Sequence, residues 1–485
     1  MSNNHLSTNS NKRSYPNHHS DSELHHKKQK KDVNLLLLLL CSSMIMLGNT
    51  LIFCSIYSAM EETVARSEAA FCRCKNNDRK DWSHYNERIS NRMFYRMYRM
   101  HRPCFEHLCA KIEKSVGKQE FKSESHIQYL RNIGHATPYS SMYHASRGHS
   151  GEWIQGELKV AITLRYLAGA SYLDLFMAYH VSADHILKIV CDVKRNWFCH
   201  KDVCGLDFYR DVLDNPDRLR KIAYEFGEGS GGVLNGCIGA IDGWLVRIIC
   251  PTRKEAKNPG KYMSRKGFFA LNVQVICDKK RRVLWSYIGA KGSSHDSTVL
   301  KTSGLYQHLM SLADTLYEKG LYLVGDSAYA LRGFMICPYD NAKHGSTEDN
   351  FNFYQSSQRI HIECTFGEIY RRFGVFWRPL GGGLKEHRYT IEACLRLHNF
   401  IVDYREELKL KGSEVNDDLD SDELEYSLQT FQLEQPFENM GVVLGDNMRP
   451  SGRPAADEVF ERDRGVALRD IMAHRIKMAG IARPT

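Results

Sequence analysis

The chain has 485 residues, of which 42% are hydrophobic and 25% are charged. This composition is ordinary for soluble globular proteins and excludes a wholly disordered chain, a collagen and a polytopic membrane protein. The net charge of +9 favours polyanionic partners, and the 15 cysteines show no zinc-finger spacing, so we expect most of them to be reduced, buried thiols.

Two features near the start of the chain predict different locations for the protein. Residues 1–32 form a polar tail that we expect to be disordered, and its lysine run at 27–31 is typical of a nuclear import signal. Residues 33–57 carry no charge and are long enough to cross a hydrocarbon core of ~30 Å. With lysines before them, they are a candidate membrane anchor, and a buried or partner-binding apolar helix is the alternative, so a nuclear and a membrane-anchored location both stay open.

Residues 61–150 are predicted to be a basic helical region. Arginines recur there at intervals of three and four residues, a spacing that places them along one face of a helix. Such a face suits either nucleic acid or an ordinary amphipathic helix that covers a core. The arginines concerned are Arg88, Arg92, Arg96, Arg99 and Arg102.

Residues 151–210 are predicted to hold three helices in a helix-turn-helix-like arrangement. Gly169 ends the first helix, Ser171 caps a short second helix, and Ser182 caps a third over residues 183–197. In this arrangement the third helix enters the major groove of DNA, although a purely structural bundle has the same pattern. The side chains expected to be exposed on the third helix are His185, Lys188, Asp192 and Lys194, of which Lys188 is the candidate DNA contact.

Residues 233–402 are predicted to be an α/β domain with a mixed sheet flanked by helices. The pattern indicates strands at 237–250, 269–277, 283–288 and 321–325, with a helix after the third strand and another over 357–373. Asp242 lies in the first strand, which is otherwise apolar, and a carboxylate is costly to bury there without compensation. Asp326 directly follows the fourth strand, so both aspartates are candidates for a functional site.

The helix predicted at 357–373 carries two glutamates. On a helical wheel, Glu363 lies beside the apolar face and Glu368 lies nearly opposite, so we expect Glu363 to approach the sheet and Glu368 to be solvated. Three carboxylates on such elements have the layout of an RNase H-like nuclease, in which they hold two divalent ions. Hard oxygen ligands favour Mg²⁺ or Mn²⁺.

Short motifs recur in a fixed order along this part of the chain. They are IDG at 241–243, SRKG at 264–267, GSSHDS at 292–297, LVGDSAY at 323–329, IECTFG at 362–367, RF at 372–373 and LHNF at 397–400. Together they resemble the PIF/Harbinger transposases and the Harbinger-derived nucleases of the DDE superfamily. The resemblance covers residues 171–402.

The resemblance implies a metal-dependent endonuclease whose catalytic and metal-binding residues are Asp242, Asp326 and Glu363. It implies Mg²⁺ or Mn²⁺ as cofactor, cleavage and joining of DNA at terminal inverted repeats, a Myb-like accessory protein and a homo-oligomer. His295 and Asp296 lie in a segment shared with the family. Asp296 there is a carboxylate at a helix N-terminus, a group that supports the ligands, or an extra ligand.

One departure from the family leaves an alternative open. Tyr370 stands where the family usually has a basic residue. The alternative is a domesticated protein that keeps the fold and binds DNA or recruits partners without catalysis.

Basic residues on both sides of the predicted site are candidate DNA contacts. In an RNase H-like sheet they would line a phosphate path and contribute salt-dependent affinity without reading sequence. They are Arg253, Lys254, Lys261, Arg265 and Lys266 after the first strand, and Lys279, Lys280, Arg281 and Arg282 at the tip of the next hairpin. Residues 403–485 are predicted to be an acidic linker and a C-terminal tail, with seven acidic residues between 413 and 427.

Overall fold

The computed structural model describes residues 80, 82–116, 154–201, 203, 205–206, 208, 212–410 and 456–483. The chain divides into two units, Met1–Cys74 and Lys75–Thr485, and every described residue lies in the second. The predicted tail at 1–32, the apolar segment at 33–57 and the acidic stretch at 413–427 lie outside the described residues. Within the described ranges, no helix has the length and apolar character needed to span a membrane.

Three helices at the start of the described chain pack around an aromatic cluster. They are α1 (Trp82–Glu87), α2 (Asn91–Tyr98) and α3 (Arg102–Val116). The rings of Trp82, Phe94, Tyr98 and Phe105 lie in mutual contact, and the Phe94 and Tyr98 centroids are 4.5 Å apart. The apolar aromatic side chains therefore form the core of this helical region.

The prediction that the arginines of this region share one helical face is wrong. Helix α2 ends at Arg99, whose φ of 57° is left-handed and breaks the helix, and Arg102 begins α3. Arg102 donates to the backbone oxygen of Asn86 and lies 4.5 Å from the ring centroid of Phe94. At least this arginine therefore has a structural role.

Three further helices occupy the helix-turn-helix-like region. They are α4 (Gly156–Leu167), α5 (Tyr172–Tyr179) and α6 (Ala183–Asp192), and a π-helical turn, Val193–Phe198, continues α6. As predicted, the Ser171 side chain caps α5. The expectation that Lys194 is exposed is wrong, because its ammonium group is buried and donates to Thr390 Oγ1 at 2.8 Å. Lys188 is exposed, as expected.

Helix α7 (Pro216–Gly227) leads into a five-stranded mixed sheet. Its strands are β1 (Cys237–Arg247), β2 (Ala270–Cys277), β3 (Val283–Lys291), β4 (Tyr322–Val324) and β5 (Met335–Ile336). The order is β3-β2-β1-β4-β5; β1, β2 and β3 pair antiparallel, whereas β4 pairs parallel with both β1 and β5. The sequence does not reveal β5, because two residues are too few to show a period.

Helices flank the sheet. The single helix expected after β3 is three short ones, α8 (Asp296–Lys301), α9 (Gly304–Ser311) and α10 (Ala313–Glu318). The two long helices are α11 (Thr347–Arg372), which starts earlier than predicted, and α12 (Leu384–Leu410). Helix α11 packs on β1, where the Trp244 ring contacts Phe366 and Phe376. This contact fixes the helix that carries Glu363 against the strand that carries Asp242.

The expectation that Glu368 is solvated is wrong. Its side chain is only 8% exposed and accepts a hydrogen bond from Arg281 at the β2–β3 turn. Burial opposes the ionisation of Glu368, but His398, Arg372 and Arg281 outweigh it, and the pKa falls to about 2. Since burial lowers the pKa of His398 to about 4, the imidazole is neutral at pH 7 and the two guanidinium groups are the charges that remain.

Two side chains of the LHNF motif form hydrogen bonds with the β2–β3 turn and the start of β3. Asn399 on α12 accepts from the Val283 nitrogen at 2.7 Å and donates to the Val283 oxygen at 2.6 Å. His398 donates from Nε2 to the Arg281 oxygen and accepts at Nδ1 from Arg372 of α11. The β2–β3 turn, α11 and α12 are thus joined through buried polar contacts.

A last helix, α13 (Ala456–Met478), packs on α11 and β5. Gly465 lies against the backbone of Arg332, where an added Cβ would be 2.8 Å from three backbone atoms. Glu458 of α13 also pairs with Lys301 at the end of α8, at 2.9 Å. The C-terminal helix therefore packs against the segments that follow β3 and β4 and stabilises them.

Replacing Glu368 with glutamine is expected to destabilise the protein by up to about 3 kcal/mol at pH 7, since the native pKa of about 2 lies below the ordinary 4.5. A depressed carboxyl pKa stabilises the fold above about pH 4.5, and this contribution is lost as the pH falls towards about 2. Urea unfolding at several pH values should therefore show a difference between Glu368→Gln and wild type that shrinks in acid. The exposed Glu407→Gln is the control, and a pH-independent difference would contradict the assignment.

Replacing Gly465 with valine is expected to destabilise the docking of α13 by ~1–3 kcal/mol, because the new side chain would overlap the Arg332 backbone. Thermal unfolding and limited proteolysis at 456–483 would measure the effect. Ala467→Val, at an exposed position of the same helix, is the matched control. Equal melting temperatures for the two variants would show that the close contact is unimportant.

Candidate active site

The strand register brings Asp242 and Asp326 to the same level of the sheet. Ala240 of β1 pairs in parallel with Val324 of β4, and each aspartate follows its paired residue by two positions. Asp242 Oδ1 accepts from the Gly243 nitrogen at 2.7 Å, and Asp326 Oδ1 accepts from the Ala328 nitrogen at 3.0 Å. The two predicted aspartates are therefore neighbours, each oriented by a backbone hydrogen bond.

Both carboxyl groups are hard to ionise at this position. Burial raises the pKa of Asp242 to about 7, and the neighbouring charge of Asp326 adds to the effect. Burial also raises the pKa of Asp326, to which Asp296 contributes as a further like charge. Carboxylates crowded in this way need a cation to remain ionised together.

Glu363 lies on α11, and Arg359 connects it to the sheet. Arg359 Nη1 is 2.5 Å from Glu363 Oε1 and 3.7 Å from Asp242 Oδ2. Glu363 therefore approaches β1, as the helical wheel predicts. Its link to Asp242 is made by Arg359, which sequence reasoning did not identify. The four-residue spacing between Arg359 and Glu363 is the signal that could have identified it.

Asp296 lies beside Asp242 at the N-terminus of α8. Its Oδ1 accepts from Asn272 Nδ2 at 2.8 Å and from Gln274 Nε2 at 2.7 Å, both on β2. A Cβ at Gly243 would lie 2.2 Å from the same oxygen, so only glycine leaves room for this carboxylate.

The amide of Gln274 is itself held in place. Its oxygen accepts from the Tyr329 hydroxyl, and burial keeps the pKa of Tyr329 high, so that the hydroxyl stays protonated as a donor. Sequence reasoning missed Asn272, Gln274 and Tyr329 as parts of the site. The signal was two polar amides in an otherwise apolar strand, at alternate positions that share one face. His295 precedes α8 and is exposed.

The side chains at the site offer oxygen ligands, which hard divalent cations prefer. Asp242, Asp326 and Glu363 offer carboxylate oxygens, and burial, with neighbouring like charge added to it, raises the pKa of both aspartates. The chemistry of the residues thus fits Mg²⁺ or Mn²⁺. Among the described residues, however, no three His, Cys, Asp or Glu side chains converge closely enough to hold an ion, and Arg359 bridges Asp242 and Glu363.

The predicted basic residues fall into two groups that differ in their pairing. Those in the loop between β1 and β2 are exposed: Arg253, Lys254, Lys261, Arg265 and Lys266. Arg265 is near enough to Asp326 to favour its ionised form and oppose the rise of its pKa. The loop therefore brings positive charge to the carboxylates.

The basic residues of the β2–β3 turn are all ion-paired within the chain. Lys279 pairs with Glu228, Lys280 with Glu225 and Glu406, Arg281 with Glu368, and Arg282 with Asp403. Their role as DNA contacts stays a prediction, and their charge is largely offset by these acids.

Comparison with known proteins agrees with this geometry. The DDE superfamily endonuclease family model matches residues 241–399. The chain is 27% identical to "Protein ALP1-like" of Arabidopsis thaliana over 209 residues, which is 40% of this chain and 50% of that protein. It is 30% identical to "Putative nuclease HARBI1" of Mus musculus and 28% identical to that of Homo sapiens, each over 178 residues, 35% of this chain and 47% of the relative.

The matched part spans about half the length of these curated relatives. No solved structure matches the chain. The match begins one residue before Asp242, ends at Asn399 and includes Asp326 and Glu363, so it contains the three predicted catalytic carboxylates. Residues 241–399 therefore match the DDE superfamily endonuclease family, and the predicted resemblance of this chain to the Harbinger-derived nucleases is confirmed.

Proposed function

We propose that the protein is a metal-dependent DNA endonuclease of the Harbinger type, which cuts and joins phosphodiesters. The observation that carries the proposal is the meeting of Asp242 on β1 with Asp326, which follows the adjacent parallel strand β4, with Glu363 linked to Asp242 by Arg359. Three antiparallel strands followed by parallel ones, in the order β3-β2-β1-β4-β5, support an RNase H-like fold for the domain.

Asp242, Asp326 and Glu363 would hold Mg²⁺ or Mn²⁺. Two such ions, when bound, stabilise the negative charge that develops on the attacking and leaving oxygens of a phosphodiester displacement. The protein's own task is to keep three carboxylates in one place. Backbone N–H groups orient both aspartates, and the packing of Trp244 on α11 sets the position of Glu363.

The exposed loop between β1 and β2 is the proposed path of the DNA backbone. Its cations are exposed, and Arg265 connects this charge to Asp326. Phosphate contacts of this kind position DNA without reading its sequence. Lys188 on α6 is a further proposed contact, outside the endonuclease domain.

The remaining parts of the proposal rest on the family resemblance. They are the terminal inverted repeats as substrate, a Myb-like accessory protein, a homo-oligomer and a nuclear location. The alternative function is a domesticated protein that binds DNA or recruits partners without turnover. The same site distinguishes the two functions, because only the nuclease needs its carboxylates for metal-dependent cutting.

Asp242→Asn, Asp326→Asn and Glu363→Gln are each expected to lower Mg²⁺- or Mn²⁺-dependent nicking of supercoiled DNA at least ~100-fold, because each removes a charged metal ligand. Asp340→Asn, at an exposed position, is the control and should cut like wild type. Cutting that persists in the triple variant would reject the proposal. DNA binding that survives EDTA, with no cutting under either metal, would favour the domesticated function.

Removing two loop charges, with Lys254→Ala and Arg265→Ala together, is expected to weaken DNA binding and reduce the slope of log K against log salt by roughly 2, or ~0.9 per phosphate contact. The matched variant removes two charges from the β2–β3 turn, with Lys279→Ala and Lys280→Ala. We expect it to change the slope little, because those lysines already pair with Glu228, Glu225 and Glu406. An equal change in both double variants would contradict the proposed path.

A further inference from the structure

Arg359 is the cation that lies among the carboxylates of the site. Its guanidinium contacts Glu363 on its own helix and reaches across to Asp242 on β1. Its charge also favours the ionised form of Asp326. A pair confined to the helix surface would contact Glu363 alone, so the reach to the sheet sets Arg359 apart from an ordinary i,i+4 partner.

A second arginine–glutamate pair on α11 shows what a structural contact looks like in this fold. Glu368 is 8% exposed, and its partner Arg281 belongs to a turn held by buried polar contacts with α12. Glu363 is 45% exposed, and its contact with Arg359 lies within one helix. Water reaches the Glu363 end of this pair and can hydrate its carboxylate when the contact with the 22% exposed Arg359 is exchanged.

The position of Arg359 also accounts for the incomplete metal geometry. Among the described residues no three carboxylates converge on one point, and the guanidinium lies between two of the proposed ligands. A divalent ion and a guanidinium repel each other and need the same oxygens, so both cannot occupy this position.

We infer that Arg359 is an internal counter-ion, which bridges Asp242 and Glu363 in the metal-free protein and which a divalent cation must displace to bind. This inference rests on the proposed function. It makes Arg359 a positioning residue that keeps Asp242 and Glu363 together before the metal arrives. It also makes the arginine a competitor that weakens metal binding in the absence of DNA.

The test measures Mn²⁺ binding to the full chain without DNA, by titration calorimetry and by the electron paramagnetic resonance signal of free Mn²⁺. Arg359→Met keeps the length of the side chain but removes the charge, and we expect it to bind Mn²⁺ about tenfold more tightly than wild type. Arg359→Lys keeps the charge and should stay within about threefold of wild type. Arg396→Met removes another i,i+4 partner of a glutamate, Glu392 on α12, and should leave the affinity unchanged.

Each outcome decides between stated possibilities. Tighter binding in Arg359→Met alone supports the counter-ion. Unchanged or weaker binding in Arg359→Met, with measurable binding in wild type, overturns the inference and leaves the proposed nuclease intact. If neither wild type nor Arg359→Met binds Mn²⁺, the inference and the proposed metal site both fail. Melting curves of the metal-free variants establish that each is folded.

Discussion

Parallel pairing of β1 with β4 forces two carboxylates into one mostly buried space. Asp242 and Asp326 each follow a paired residue by two positions. The register of β1 and β4 therefore keeps the two carboxylates close together. Burial raises the pKa of both groups, and a neighbouring like charge adds to the effect, from Asp326 on Asp242 and from Asp296 on Asp326. The surrounding structure compensates this cost, with backbone donors to each aspartate, an arginine from α11 and a cation-bearing loop beside the site.

Helix α11 is central to this compensation because it carries two different ion pairs. Towards its C-terminus, Glu368 joins the β2–β3 turn and α12, and this buried contact fixes the helix. Nearer the N-terminus of the helix, Glu363 and Arg359 are more exposed than Glu368, and Arg359 reaches Asp242 of β1. A rigid attachment next to an exchangeable one is what a site needs if it is to hold its ligands in place and still accept an ion.

The sequence was sufficient for the elements that depend on local pattern. The apolar strands and the apolar face of α11 predict the elements on which the structure places Asp242, Asp326 and Glu363, and the family motifs select the same residues. The predictions are wrong where a residue distant in the sequence determines whether a side chain is buried. A helical wheel shows only the helix itself, so it could not reveal that Arg281 from a turn 87 positions away buries Glu368.

The other differences also concern features that a periodic sequence pattern does not show. Regular spacing of arginines predicts one helix, but Arg99 takes a left-handed conformation that no period indicates. Lys194 lies in the π-helical turn after α6, at a position that looks exposed in the sequence, yet it is buried and donates to Thr390 of α12. Asn272 and Gln274 are unremarkable in a strand until the fold places Asp296 opposite their amides.

The central claim is that Asp242, Asp326 and Glu363 form one divalent-metal site. Anomalous diffraction from crystals of the protein grown with Mn²⁺ tests it most directly, because the ions are located without reference to activity. The account predicts anomalous peaks in contact with oxygens of all three carboxylates, with the Arg359 guanidinium moved away from Asp242. Peaks that lie only elsewhere in a well-ordered crystal, with Arg359 still bridging Asp242 and Glu363, would contradict it.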